Sequence, residues 1–73
     1  MILRTEQPPT IHNLRNYPSE VVDQLERLLV EGVAARQDPR RNNFYDLDHA
    51  AHTFFVHVSP SDGRVTLLAK WQR

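Results

Sequence analysis

The 73-residue chain contains no cysteine. It therefore forms no disulfide, offers no thiolate nucleophile and supplies no cysteine ligand to zinc. Stability has to come from an apolar core, and a domain of this length buries only about 60% of the surface that its unfolded chain exposes. We expect a marginal core that gains from any additional covering.

Net charge and long apolar runs are also missing. Nine basic and nine acidic residues cancel, so no global field draws the chain to nucleic acid or to an anionic membrane. No apolar run approaches the ~20 residues that a membrane-spanning helix needs. The sequence thus predicts no membrane partner and a cytoplasmic location. Its 40% hydrophobic content is typical of a folded globular domain.

A helix is predicted near the middle of the chain. Residues 1–17 contain a Pro-Pro pair and no sustained period, which indicates an extended or partly ordered N-terminal arm. Residues 18–73 are expected to form a single α+β domain that opens with a helix at Pro18, because proline suits the first helical turn. One side of this helix is apolar over Val21, Val22, Leu25, Leu28, Leu29, Gly32 and Val33.

The end of the helix has two interpretations. Gly32 lies within the apolar side, where it either lets the helix approach a sheet closely or ends the helix. Ala34 and Ala35 favour continuation, and Asp38-Pro39 sets the outer limit. Residues 35–43 are then the predicted connecting loop.

Three strand-like segments follow, at residues 44–48, 53–59 and 64–71. Their short connections favour antiparallel neighbours, and Gly63 is expected to supply a positive φ at the end of the second connection. The predicted fold is therefore α+β, with one amphipathic helix packed on a three-stranded antiparallel meander (αβββ) and an extended N-terminal arm.

Alternation along these strands predicts two different faces. The face against the helix is expected to carry Tyr45, Leu47, Phe54, Val56, Val58, Val65, Leu67, Ala69 and Trp71. The opposite face has an apolar diagonal of Phe44, Phe55 and Leu68 with His57 beside it. One helix cannot cover two faces, so either a second copy of the chain or the N-terminal arm should cover this diagonal.

Metal and catalytic chemistry have weak support. His49, His52 and His57 lie within nine residues, close to Asp46 and Asp48. A first-row transition metal accepts such ligands, but strand alternation places His57 on the other face from the turn histidines. We predict no metal site, no cofactor and no catalytic residue.

The basic loop raises the question of RNA. Arg36, Arg40 and Arg41 form a candidate basic patch, and a sheet with a basic fringe is typical of small RNA-interacting proteins of the toxin–antitoxin kind. The acidic helix and zero net charge weigh against this.

The sequence therefore favours a non-enzymatic protein-interaction module. We expect it to self-associate as a homodimer through an interface of Phe44, Phe55, His57 and Leu68. In a variant of this hypothesis, a different protein binds the same face. RNA interaction is the alternative, and metal binding is third.

Overall fold

One helix and a six-stranded mixed sheet make up the computed structural model of the protein, which describes residues 1–73. The chain thus has the α+β class and the single helix expected from its sequence. The helix, α1, spans Ser19–Glu31. The strands, in chain order, are β1 (Ile2–Leu3), β2 (Ile11–Asn13), β3 (Val33–Gln37), β4 (Phe44–His49), β5 (His52–Val58) and β6 (Val65–Gln72).

The helix begins directly after Pro18, whose ψ of 152° is still extended and whose side chain gives no cap. The turn before it is held by Asn13, because its amide donates to the backbone carbonyl of Tyr17 and its side-chain oxygen accepts the Tyr17 N–H. Asn16 has a φ of 54° in this turn, a region that asparagine tolerates better than most residues. Asn13, Asn16 and Tyr17 thus form the turn that leads from β2 into α1.

Gly32 satisfies both expectations for the end of the helix. Its φ is 99° and its N–H donates to the carbonyl of Leu28, so the helix ends here. A Cβ at this position would also lie 3.2 Å from Cγ2 of Ile2, so glycine lets β1 approach closely. The expectation that Ala34 and Ala35 continue the helix is wrong.

The sheet is twice as wide as the predicted meander, with strand order β1-β3-β4-β5-β6-β2. The predicted loop is partly strand β3, in which buried Val33 and Ala35 alternate with exposed neighbours. The arm supplies both edges, with β1 antiparallel to β3 and β2 parallel to β6. Strands of two and three residues are too short to show a period, which is why the sequence pattern did not reveal them.

The central three strands form the expected antiparallel neighbours. Leu47 pairs with Phe54, and Val58 pairs with Val65, as the alternation predicts. In the loop that joins β5 to β6, Gly63 has the predicted positive φ of 73°. The register of the meander is therefore correct up to the middle of β6.

A β-bulge then changes the second half of β6. Leu68 has no partner on β5, and Phe54 pairs with Lys70, whereas uninterrupted pairing from Val56 and Leu67 would give it Ala69. One extra residue moves every later side chain to the opposite face. Lys70 therefore lies on the helix side, with its ammonium 5.7 Å from the Phe54 ring centroid. Trp71, predicted to close the core, is 44% exposed.

The core lies between α1 and one face of the sheet. Its buried apolar residues come from the helix and from strands β3 to β6: Leu25, Leu28, Leu29, Val33, Ala35, Leu47, Phe54, Val56, Val65 and Leu67. No helix in the structure has the length and apolarity needed to cross a membrane.

Candidate interaction surface

The face of the sheet that points away from α1 is called here the outer face. Its side chains alternate along the strands with the core residues, because neighbouring strand residues point to opposite sides. Phe44 lies opposite His57, and Asp46 lies opposite Phe55. Asp46 also has a cross-strand partner on its other neighbouring strand, Arg36 of β3. The helix packs against the opposite face only, since its buried residues belong to the core.

Three ring side chains form the centre of this face, and Phe44, Phe55 and His57 are called here the aromatic cluster. The centroids of the two phenylalanine rings are 5.8 Å apart in a stacked arrangement, and the His57 ring lies 4.7 Å from Phe44. All three side chains are half-buried. The predicted interface residues are thus brought together, with rings that still have accessible area.

Leu68, the fourth predicted interface residue, is the unpaired residue of the bulge. It follows buried Leu67 along β6, so alternation directs it to the outer face. It is half-buried there, like the aromatic cluster. The bulge therefore leaves Leu68 on the predicted face while it moves Lys70 away.

Arg41 covers part of the aromatic cluster. Its guanidinium carbon lies 5.1 Å from the Phe44 ring centroid and 5.8 Å from that of Phe55, which is within cation–π distance. The segment between β3 and β4 positions this arginine, and Asn43 in the same segment has a φ of 68°. Spacing along the chain carries no signal for the contact with Phe55, because that ring lies on β5 and not on either strand that the segment joins.

An ion pair between Arg36 of β3 and Asp48 of β4 lies beside the aromatic cluster on the outer face. Arg36 donates to both carboxylate oxygens of Asp48, at 2.7 and 3.0 Å, and the Thr53 hydroxyl donates to the same carboxylate at 2.8 Å. These hydrogen bonds from Arg36 and Thr53 lower the pKa of Asp48 to about 2. The same pair raises the pKa of Arg36. Arg73 lies 4.0 Å from Asp48 as well, so this carboxylate is already engaged by two cations of its own chain.

Asp46 contrasts with Asp48 two residues away on the same strand. Its closest cationic atom is Nη2 of Arg36 at 3.9 Å, and its carboxylate accepts no hydrogen bond from another side chain. Its side chain is 32% exposed. The outer face therefore carries one satisfied carboxylate and one that remains available beside Phe55.

The predicted basic patch is divided by the fold. Arg36 lies on β3 and is held by Asp48, whereas Arg40 and Arg41 lie in the segment that follows. Arg41 is 3.6 Å from Asp38, and the backbone N–H of Arg40 donates to that same carboxylate. Of the three guanidinium groups, only that of Arg36 is held by short hydrogen bonds, and the three residues lie on two different elements of the fold.

The histidines do not gather into a metal centre. His49 and His52 are cross-strand partners beside the β4–β5 turn, whereas His57 belongs to the aromatic cluster. No group of three or more His, Cys, Asp or Glu side chains lies close enough to hold a metal ion. His57 is therefore separated from the other two histidines.

The largest exposed aromatic side chain lies at the end of β6. Trp71 is the cross-strand partner of Thr53, and with Tyr17, Val21 and Lys70 it lines a cavity of about 250 Å³. β2 pairs with β6 only as far as Leu67, so the later backbone N–H groups of β6 have no partner from β2. The Tyr17 hydroxyl accepts one of them, the N–H of Lys70, at 2.9 Å. Tyrosine thus protects an otherwise open strand edge.

Comparison of the chain with protein-family models, with curated proteins and with solved structures finds no match.

Proposed function

We propose that the protein is a small protein-interaction module that self-associates as a homodimer through the outer face. The observation that carries this proposal is the aromatic cluster at the centre of a sheet face that no other layer covers. Aromatic side chains with an arginine are the composition that interface centres favour. Arg41 above Phe44 and Phe55 supplies that combination.

A second copy is the favoured occupant for reasons of geometry and size. A face that packs on its own copy about a two-fold axis meets the same apolar centre, so each aromatic cluster covers the other. The N-terminal arm, the rival cover, is used at the two edges of the sheet as β1 and β2. It therefore leaves the centre of the outer face open. A chain of 73 residues also gains more from added burial than a larger domain does.

The charges of the outer face favour protein over RNA. Phosphate groups would have to compete with Asp48 for Arg36, and they would meet the carboxylate of Asp46, whose nearest cation is the same arginine at 3.9 Å. An RNA-binding surface is usually an excess of cations that release counterions on binding. RNA interaction remains the second candidate because Arg41 and two aromatic rings lie together at the surface.

The test is the mass of the protein in solution. Sedimentation equilibrium at micromolar concentration should give about twice the 8.5 kDa of one chain for the wild type. Phe55→Asp should give one chain, because a charge in the centre of an apolar interface is costly to desolvate. Arg27→Glu is the matched control, since it also adds negative charge but lies exposed on the helix. It should remain dimeric.

Circular dichroism of each variant separates dissociation from unfolding. A folded Phe55→Asp monomer supports the proposal, and a wild type that stays monomeric at high micromolar concentration contradicts it. Retention of an RNA oligomer by that monomer, lost on raising the salt concentration, would favour the RNA-interacting alternative.

A further inference from the structure

Two side chains of opposite charge lie beside Phe55. Asp46 is its direct cross-strand partner on β4. Arg41 approaches the Phe55 ring from the segment before β4, with the guanidinium carbon 5.8 Å from the ring centroid. The centre of the outer face is therefore an apolar ring with a cation and an anion beside it.

Neither charge is fully satisfied within its own chain. Asp46 lies 3.9 Å from Arg36, whose shorter contacts go to Asp48. Arg41 lies 3.6 Å from Asp38, and its side chain remains 60% exposed. No side-chain hydrogen bond is formed by either group, in contrast to the two short bonds between Arg36 and Asp48. Both groups keep hydrogen-bonding capacity for a partner.

We propose that Arg41 of one copy pairs with Asp46 of the partner subunit in the homodimer. This inference rests on the proposed function and specifies how the two outer faces are oriented. A two-fold axis that lies in the interface plane near Phe55, perpendicular to the line from Arg41 to Asp46, places the two rings against each other and brings each Arg41 opposite the partner's Asp46. Because the interface is isologous, the pair occurs twice, and the surface is complementary to itself in charge as well as in shape.

Charge reversal tests the pairing. Arg41→Glu places two acidic groups opposite each other at both positions, and Asp46→Lys does the same with two bases. Like charges across an interface oppose association, so we expect each single variant to raise the dimer dissociation constant by about tenfold or more in low salt. Arg40→Glu is the matched control, because Arg40 lies in the same segment without ring contacts, and it should change the constant by less than about threefold.

Mixing the two single variants is the decisive step. In the mixed dimer, the glutamate introduced in the Arg41→Glu chain faces the lysine introduced in the Asp46→Lys chain, and the natural pair forms at the second position. We therefore expect a heterodimer that is at least about tenfold tighter than either homodimer, measured by sedimentation with one variant carrying a fluorescent label. A pair within one chain would not be rescued by mixing, so this measurement separates the two arrangements.

The outcomes distinguish this inference from the proposed function. If the wild type is dimeric and Phe55→Asp dissociates it, but mixing gives no preferred heterodimer, the pairing is wrong and the interface stands. If the wild type is monomeric, both are wrong. Should either charge-reversed chain fail to fold by circular dichroism, Arg41→Gln and Asp46→Asn replace them. Each should then weaken the dimer more than Arg40→Gln does, and equal effects would contradict the pairing.

Discussion

The two faces of the sheet are built from alternate residues of the same strands, yet they are held in different ways. On the helix side, Leu47, Phe54 and Val56 are completely buried. On the outer face, Phe44 and Phe55 are only half-buried, and charged residues lie beside them. One face therefore has a complete cover within the chain, whereas the other has apolar area in excess of what its own side chains cover.

The aromatic cluster of the outer face is thus neither fully buried nor fully exposed. Half-burial of the aromatic cluster lowers the cost of an uncovered face, because Arg41 and ring stacking shield part of each ring. The same arrangement leaves part of each ring accessible, and this is the apolar area that the proposed association would bury. The predictions below test this difference between the faces, in decreasing order of magnitude.

Adjacent phenylalanines provide the strongest contrast. Phe54→Ala should lower the free energy of unfolding by ~3–5 kcal/mol, because the ring is fully buried against the helix. Phe55→Ala should cost clearly less in dilute protein and should instead weaken self-association. Denaturant titration and sedimentation on both variants measure the two effects. Equal losses of stability would mean that the faces are not energetically distinct.

Trp71 tests where the boundary between the faces lies. Replacing a buried tryptophan by alanine costs ~3–5 kcal/mol, but this side chain is 44% exposed. We therefore expect Trp71→Ala to cost about 1 kcal/mol in a thermal or denaturant melt. A loss as large as that of Phe54→Ala would show that the bulge is absent and that Trp71 belongs to the core.

The ion pair of the outer face makes stability depend on pH. The pKa of Asp48 is lowered to about 2, so its contribution is present above about pH 4 and is lost as the pH falls towards 2. With solvent screening of this partly exposed pair, we expect a loss of about 1 kcal/mol. Asp48→Asn should remove this part of the pH dependence, and Arg36→Gln should reduce it. Unfolding free energies at about pH 5 and about pH 2 give the comparison, and an unchanged slope in Asp48→Asn would contradict it.

The smallest effect concerns the turn that joins β4 and β5. Ala50 has a φ of 52°, which is unfavourable for a residue with a Cβ. Ala50→Gly should relieve this strain and raise the free energy of unfolding by about 0.5 kcal/mol, after the entropy cost of glycine. Ala51→Gly is the matched control, and it should not be stabilising. Stabilisation by both changes would point to a general effect of glycine in this turn.

The sequence predicted those features that depend on period and on local turn chemistry. Leu25, Leu29 and Phe54 follow from alternation and helical spacing, and Gly63 follows from the geometry of its loop. Edge strands β1 and β2 could not be predicted, because they are too short to have a period and take their shape from β3 and β6.

The outer face was only partly predictable for a different reason. Phe44, Phe55 and His57 come together as alternation requires. Lys70 and Trp71 lie on the faces opposite to those predicted because Leu68 is an unpaired bulge residue. Nothing in an alternating sequence marks where a bulge will form. Arg41 over the rings is a contact between a loop and a sheet, which pairwise spacing along the chain does not encode.

The proposed function depends on one outer face covering another. An isotope-filtered nuclear Overhauser experiment on an equimolar mixture of isotope-labelled and unlabelled wild-type chains detects that arrangement without any substitution. We predict cross-peaks between chains from the ring protons of Phe44 and Phe55 and from the methyl groups of Leu68. Cross-peaks confined to the helix or to the strand edges would rule the arrangement out. So would the mass of a single chain, with no cross-peaks between chains, at the high concentration of the experiment.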